Sequence, residues 1–185
     1  MNPSHNLFII GPTGAGKTSI GRRLAVHYGL PFVDIDQEIE RHCGVDVSTV
    51  FEIEGEAGFR QRESAAIDEC SQRNGVLMAT GAGAVLAVLN RRHMIERGYV
   101  VWLQASIAQQ LERLERDLHR PLLQVSDRHE RLHAMAQIRE PLYRDIADLA
   151  VPGEHGSVTS ATERCIALID HYWQRYPLAS SQQTA

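Results

Sequence analysis

The clearest signal along the chain is a run of four apolar residues, Leu7, Phe8, Ile9 and Ile10, bounded by Asn6 and Gly11. An apolar run without alternation predicts a strand covered on both faces. Residues 17–28 then repeat at helical spacing, with Ile20, Leu24 and Ala25 on one face and Gly29 as the stop. The same reading continues to the C-terminus. Residues 32–34 form a second strand, and residues 36–42 a helix ending at Gly44. Residues 47–73 are mostly helical, broken near Gly55 and Gly58. A third strand spans 76–79, a helix 87–97, a fourth strand 99–103 and a helix 107–118. Residues 128–146 are helical with a break near Pro141, 149–151 form a last strand and 159–173 a last helix. The polar stretch 177–185 is expected to be a disordered tail. Strands alternate with helices throughout, which predicts an α/β fold of three layers, a five-stranded parallel sheet with helices on both faces. No repeat or linker divides the chain, so one domain over 1–176 is expected. Ligands on such a sheet sit beyond the carboxyl ends of its strands.

Composition adds limits. In 185 residues the formal charge is −4, which gives no electrostatic reason to expect nucleic acid. The Leu7–Ile10 run is too short to cross a membrane or to serve as a signal segment. Cys43, Cys70 and Cys165 are scattered and form no C-x-x-C pair, so neither a disulfide framework nor a zinc site is expected. A cytoplasmic location is expected by default. Of the 19 basic residues only Lys17 is lysine; the rest are arginine. A compact ammonium survives in an arginine-biased chain where a planar fork does not fit, as in a tight phosphate cradle.

Lys17 stands in the segment Gly11-Pro12-Thr13-Gly14-Ala15-Gly16-Lys17-Thr18, which matches G-x-x-x-x-G-K-[ST] in full between a strand and a helix. This is the phosphate loop of P-loop nucleotide-binding folds. Glycines let successive N–H groups converge on a phosphate, and the helix N-terminus adds positive potential. Lys17 is placed to reach the β- and γ-phosphates of ATP, and the Thr18 hydroxyl to ligate Mg²⁺.

Four further groups follow the strands. Asp34 and Asp36 fall at the end of the second strand, where alternation would put both on one face; metal and hydroxyl binding compete there with simple helix capping. Arg60 and Glu63 share a helical face, as a carboxylate fork with its partner or as a surface ion pair. Thr80 to Ala84 form a small-residue turn open to close approach by a ligand. Arg120 and Arg139 stand beside proline-fixed turns, as anion clamps or as solvated arginines.

In this order the pieces resemble the shikimate kinase family: P-loop, D-x-D at 34–36, F-R-x-x-E at 59–63, a glycine triplet at 81–83, R-P-L-L at 120–123 and R-x-P-L-Y at 139–143. The match covers roughly residues 5 to 175 in motif order. The resemblance implies Mg-ATP-dependent phosphorylation of the 3-hydroxyl of shikimate by a small, nucleoside-monophosphate-kinase-like protein expected to be a monomer. It implies that Lys17 and the backbone of Gly14, Ala15, Gly16, Thr18 and Ser19 hold the phosphates. Thr18, with Asp34 through water, would hold Mg²⁺. Asp36 would bind the shikimate hydroxyls and receive the proton. Arg60 and Arg139 would bind the shikimate carboxylate, with Glu63 orienting Arg60, and Gly81, Ala82 and Gly83 would lie against the ring. Arg120 would reach ATP from a lid over about 119–132, and Arg113 would lie against adenine. A gluconate-type or nucleotide kinase, or an ATP-binding switch protein, is the alternative. One position departs from the family: Ala82 replaces the central glycine. Its methyl is expected to crowd the ring, weakening shikimate binding or shifting acceptor preference, with about 1–2 kcal/mol of strain if φ is positive there.

Overall fold

The computed structural model of the protein describes residues 5–114 and 127–173. Five strands, β1 (Leu7–Ile10), β2 (Phe32–Asp34), β3 (Leu77–Ala79), β4 (Tyr99–Leu103) and β5 (Leu149–Val151), form one parallel sheet in the order β2-β3-β1-β4-β5. The helices are α1 (Lys17–Tyr28), α2 (Ile35–Cys43), α3 (Val47–Ser71), α4 (Val88–Arg97), α5 (Ile107–Leu114), α6 (Arg128–Ile146) and α7 (Val158–Tyr172).

β1 lies at the centre of the sheet and explains its own sequence. Phe8 and Ile10 point into a core shared with α2, α3, α4 and α6, whereas Leu7 and Ile9 point into the core under α1 and α7. All four are fully buried, so no polar residue is tolerated at either phase of the strand. A smaller cluster of Leu114 and Leu132, with Ile107, Leu111 and Met135 against it, ties α5 to α6 beside the phosphate loop.

Three local expectations are corrected. Of the two glycines proposed to break α3, only Gly55 does so, with φ 68° and ψ −177°; Gly58 stays helical. The helix α6 runs unbroken through Pro141, so Arg139 stands within a helix rather than beside a turn. An interior proline costs a helix about 3 kcal/mol. Burial of Arg139, Tyr143 and Ile146 on the same helix opposes that cost. Of the two placements read for Asp36, the helix over 36–42 holds and the strand end is corrected: Asp36 lies in the first turn of α2, because β2 ends at Asp34. The helix expected over 107–118 is described as far as Leu114, and the expected lid is described only from Asp127, the N-cap of α6. Arg120 and the tail 177–185 lie outside the described residues. Among the described residues no helix is long and apolar enough to cross a membrane.

Candidate active site

The loop after β1 turns where a side chain cannot follow. Gly11 has φ 143°, and a Cβ there would collide with the carbonyl of Leu103 on the neighbouring strand. Gly16, the N-cap of α1, has φ 88°, a left-handed conformation that suits glycine. The lysine folds back along the loop, its Nζ donating to the carbonyls of Gly11 at 2.9 Å and Pro12 at 2.8 Å. The Thr18 hydroxyl donates to Asp34 Oδ2 at 2.7 Å, while Asp34 Oδ1 accepts from the backbone N–H groups of Asp36 and Gln37. Asp34 thus caps α2 with one oxygen, while the other meets the phosphate loop at Thr18. Thr18 and Asp34 bring hard oxygen donors together beside the loop, a set that fits Mg²⁺, whose remaining ligands are commonly water and phosphate. Arg113, on α5, donates to the carbonyls of Gly14 at 2.9 Å and Glu154 at 3.4 Å, bridging the loop to the segment before α7.

A cavity of about 480 Å³ joins these groups to the turn after β3. Its lining runs from Gly14 through Ser19 to Asp34, Asp36, Gly81 and Ala82, with Arg113 at the far end. That volume suits a small-molecule site. Gly156, Ser157, Val158 and Ala161 complete the wall near Arg113. The sequence reading missed that wall. Its only sequence signal was the Gly-Ser pair ahead of α7, which reads equally as an ordinary N-cap.

Beyond Gly81 the surroundings are charged, and the carboxylate nearest the turn is fully buried. Glu63 is 0% exposed and accepts from Arg60 Nη1 at 2.7 Å; Arg60 also donates to Glu56 at 3.1 Å. A Cβ on Gly81 would collide with Glu63 Oε1 and lie 3.3 Å from Asp36 Oδ1, while one on Gly83 would collide with the Arg60 guanidinium. The turn is therefore glycine at both ends because charged side chains pack against its α-carbons. Burial pushes the Glu63 carboxyl up, aided by Asp36 and opposed by Arg60 and Arg139. Burial pulls the Arg139 guanidinium down, with Arg60 acting in the same direction. Arg139 is 7% exposed and forms no direct ion pair with a described carboxylate, Glu56 and Glu63 acting on it only through space. It lines a narrow cleft with Pro12, Thr13 and Tyr143, close to the phosphate loop. No described residue other than glycine has a positive φ, so Ala82 carries no left-handed strain; its methyl simply lines the cavity.

Lys17, Thr18, Asp34, Asp36, Gly81, Ala82 and Arg113 thus border one space, and Arg60, Gly83 and Arg139 stand next to it. The family model for shikimate kinase matches residues 13–170. A shikimate kinase of Stenotrophomonas maltophilia is 47% identical over 180 residues, covering 97% of this chain and 100% of its own. A shikimate kinase of Methylococcus capsulatus is 48% identical over 167 residues, covering 90% and 93%. The structure of the Acinetobacter baumannii shikimate kinase in complex with shikimate superposes with a TM-score of 0.89 at 38% identity, covering 94% of this chain and 97% of that one. With a P-loop and an acidic pair around one cavity, two arginines beside it, and likeness over this share of its length, the chain belongs to the shikimate kinase family.

Proposed function

We propose that the protein transfers the γ-phosphoryl group of ATP to the 3-hydroxyl of shikimate, as a cytoplasmic monomer with one kinase domain over 1–176. The observation that carries the acceptor is Arg139: a guanidinium 7% exposed, in no direct ion pair with a described carboxylate, Glu56 and Glu63 reaching it only through space. A buried cation of this kind is expensive unless an anion joins it, and a planar fork matches a carboxylate. Shikimate offers one carboxylate at one end of its ring and hydroxyls at the other, which would meet Arg139 and Arg60 on one side and Asp36 on the other.

The chemistry follows from placement. The backbone N–H groups of Gly14 to Ser19 hold the phosphates, and Lys17 supplies a cation to the transferring group. Thr18, with Asp34 through water, would hold Mg²⁺, which neutralises phosphate charge when bound. Asp36 orients the 3-hydroxyl and takes its proton as the new O–P bond forms and the β–γ bridging bond breaks to leave ADP. Arg113 stands on the nucleoside side of the cavity, and Arg120 is proposed to approach the phosphates from a lid over 119–132.

ADP release from Mg-ATP, measured with and without shikimate, tests the reading. Release that depends on shikimate, fails with gluconate or nucleoside monophosphates, and stops on removal of Mg²⁺ by EDTA is expected. ADP release indifferent to shikimate, or stimulated more by another acceptor, would overturn it.

A further inference from the structure

The motif R-x-P-L-Y places Tyr143 one helical turn after Arg139 on α6. Tyr143 is 1% exposed, its ring lies 5.8 Å from that of Trp102, and its hydroxyl donates to the carbonyl of Ala82 at 2.5 Å. We propose that Tyr143 is a positioning residue for the acceptor, acting through the peptide between Ala82 and Gly83. This rests on the shikimate kinase reading and deepens it.

The argument is geometric. No described peptide bond is cis, so the carbonyl of Ala82 and the N–H of Gly83 point in opposite directions. Anchoring the carbonyl toward the buried Tyr143 hydroxyl fixes the N–H on the other side of the turn. Within the turn, the Ala84 N–H donates to the Gly81 carbonyl and the Leu86 N–H to the Gly83 carbonyl. The N–H groups of Gly81, Ala82 and Gly83 donate to no group among the described residues. They are the unspent donors of a turn that lines the cavity at Gly81 and Ala82. Without the tyrosine hydroxyl the 82–83 peptide, the central one of the turn closed by the Ala84-to-Gly81 bond, loses the contact that fixes which way its carbonyl and N–H point, and the donor it offers to an acceptor hydroxyl or ring substituent is less well oriented. Because Tyr143 and Arg139 share a helix, the same element sets both the carboxylate fork and the floor of the acceptor pocket.

Tyr143→Phe removes the hydroxyl and keeps the ring. Shikimate KM is expected to rise about five- to tenfold, the loss of one ordinary hydrogen bond, while ATP KM changes less than twofold. Trp102→Phe touches the same ring without touching the hydroxyl bond, and its shikimate KM is expected to match the wild type. In the wild-type protein, shikimate is expected to shift the Gly83 amide resonance and to slow its exchange, a readout that does not depend on either variant folding. An unchanged shikimate KM in folded Tyr143→Phe, an equal rise in Trp102→Phe, or a Gly83 amide indifferent to shikimate overturns the positioning role alone. Absence of shikimate-dependent turnover in the wild type overturns the acceptor reading and this role together.

Discussion

At the scale of single residues, Ala82 is the position where this chain departs from its family's triplet, and the structure explains why the departure falls in the middle. Gly81 and Gly83 have no room for a Cβ, since Glu63 and Arg60 occupy that space. Ala82 faces the cavity instead, with a backbone conformation open to any residue. What remains of the sequence expectation is crowding without strain. Overpacking by one methylene costs about 1–3 kcal/mol in a closed core, and less at the wall of an open cavity. Ala82→Gly is therefore expected to lower shikimate KM about two- to fivefold with ATP KM unchanged. Gly83→Ala, which drives a methyl into the Arg60 guanidinium, is expected to cut kcat/KM at least about tenfold. Steady-state kinetics on both variants checks this, and an Ala82→Gly enzyme with wild-type shikimate KM would remove the methyl from the account.

At the scale of elements, the kink in α3 deserves a separate test. Gly55 holds φ 68° and ψ −177°, and a Cβ there would meet nothing within 4 Å. The cost of a side chain is thus purely backbone strain, about 1–3 kcal/mol. Gly55→Ala is expected to lower Tm by about 2–12 °C at the slope typical of a domain this size. The kink also separates residues 47–54 from the stretch that carries Arg60 and Glu63, so shikimate KM is expected to rise with it. A variant as stable as the wild type would mean that α3 straightens at no cost. The element boundaries were legible where one cause acts alone: the apolar run of β1, the glycine stops of α1 and α2, and the P-loop sequence itself. They were less legible where two causes compete. Pro141 predicts a break, yet the buried face of α6 carries the helix through it. Asp36 reads as strand by alternation, yet Asp34 caps a helix that begins one residue earlier. The candidate site was legible as residue types in order, because phosphate and carboxylate chemistry restricts those types. The wall from Gly156 to Ala161 and the Tyr143–Ala82 bond were not, since both are contacts between segments distant in sequence.

At the scale of the whole molecule, the parallel sheet brings the phosphate loop, Asp34 and the Gly81–Gly83 turn together at the carboxyl ends of β1, β2 and β3, and burying charged groups there costs stability. Glu63 is the clearest case. Its carboxyl is fully buried among Arg60, Asp36 and Arg139, and its pKa stands above the ordinary value because burial outweighs the arginines. Between an ordinary glutamate pKa, about 4.3, and the raised value, the native state keeps a proton that the unfolded chain releases. Stability from this group is then complete below about 4.3 and declines as pH rises through the folded pKa. Other acids act in the opposite sense. Glu38, Glu54, Asp68 and Glu96 are held below their ordinary values by hydrogen bonds from Arg41, Arg62, Arg97 and Arg92, so their contribution is lost as pH falls. These pairs act on the acid limb of a raw melting profile in the sense opposite to Glu63. The difference between wild type and Glu63→Gln cancels them, because the variant keeps every one of those pairs and replaces only the buried carboxyl with a neutral group of the same shape. The wild-type Tm minus the Glu63→Gln Tm is expected to fall as pH rises from about 4.3 toward neutrality. A difference that grows with pH would mean that the bond to Arg60 outweighs burial, and that Glu63 is held as a full carboxylate throughout.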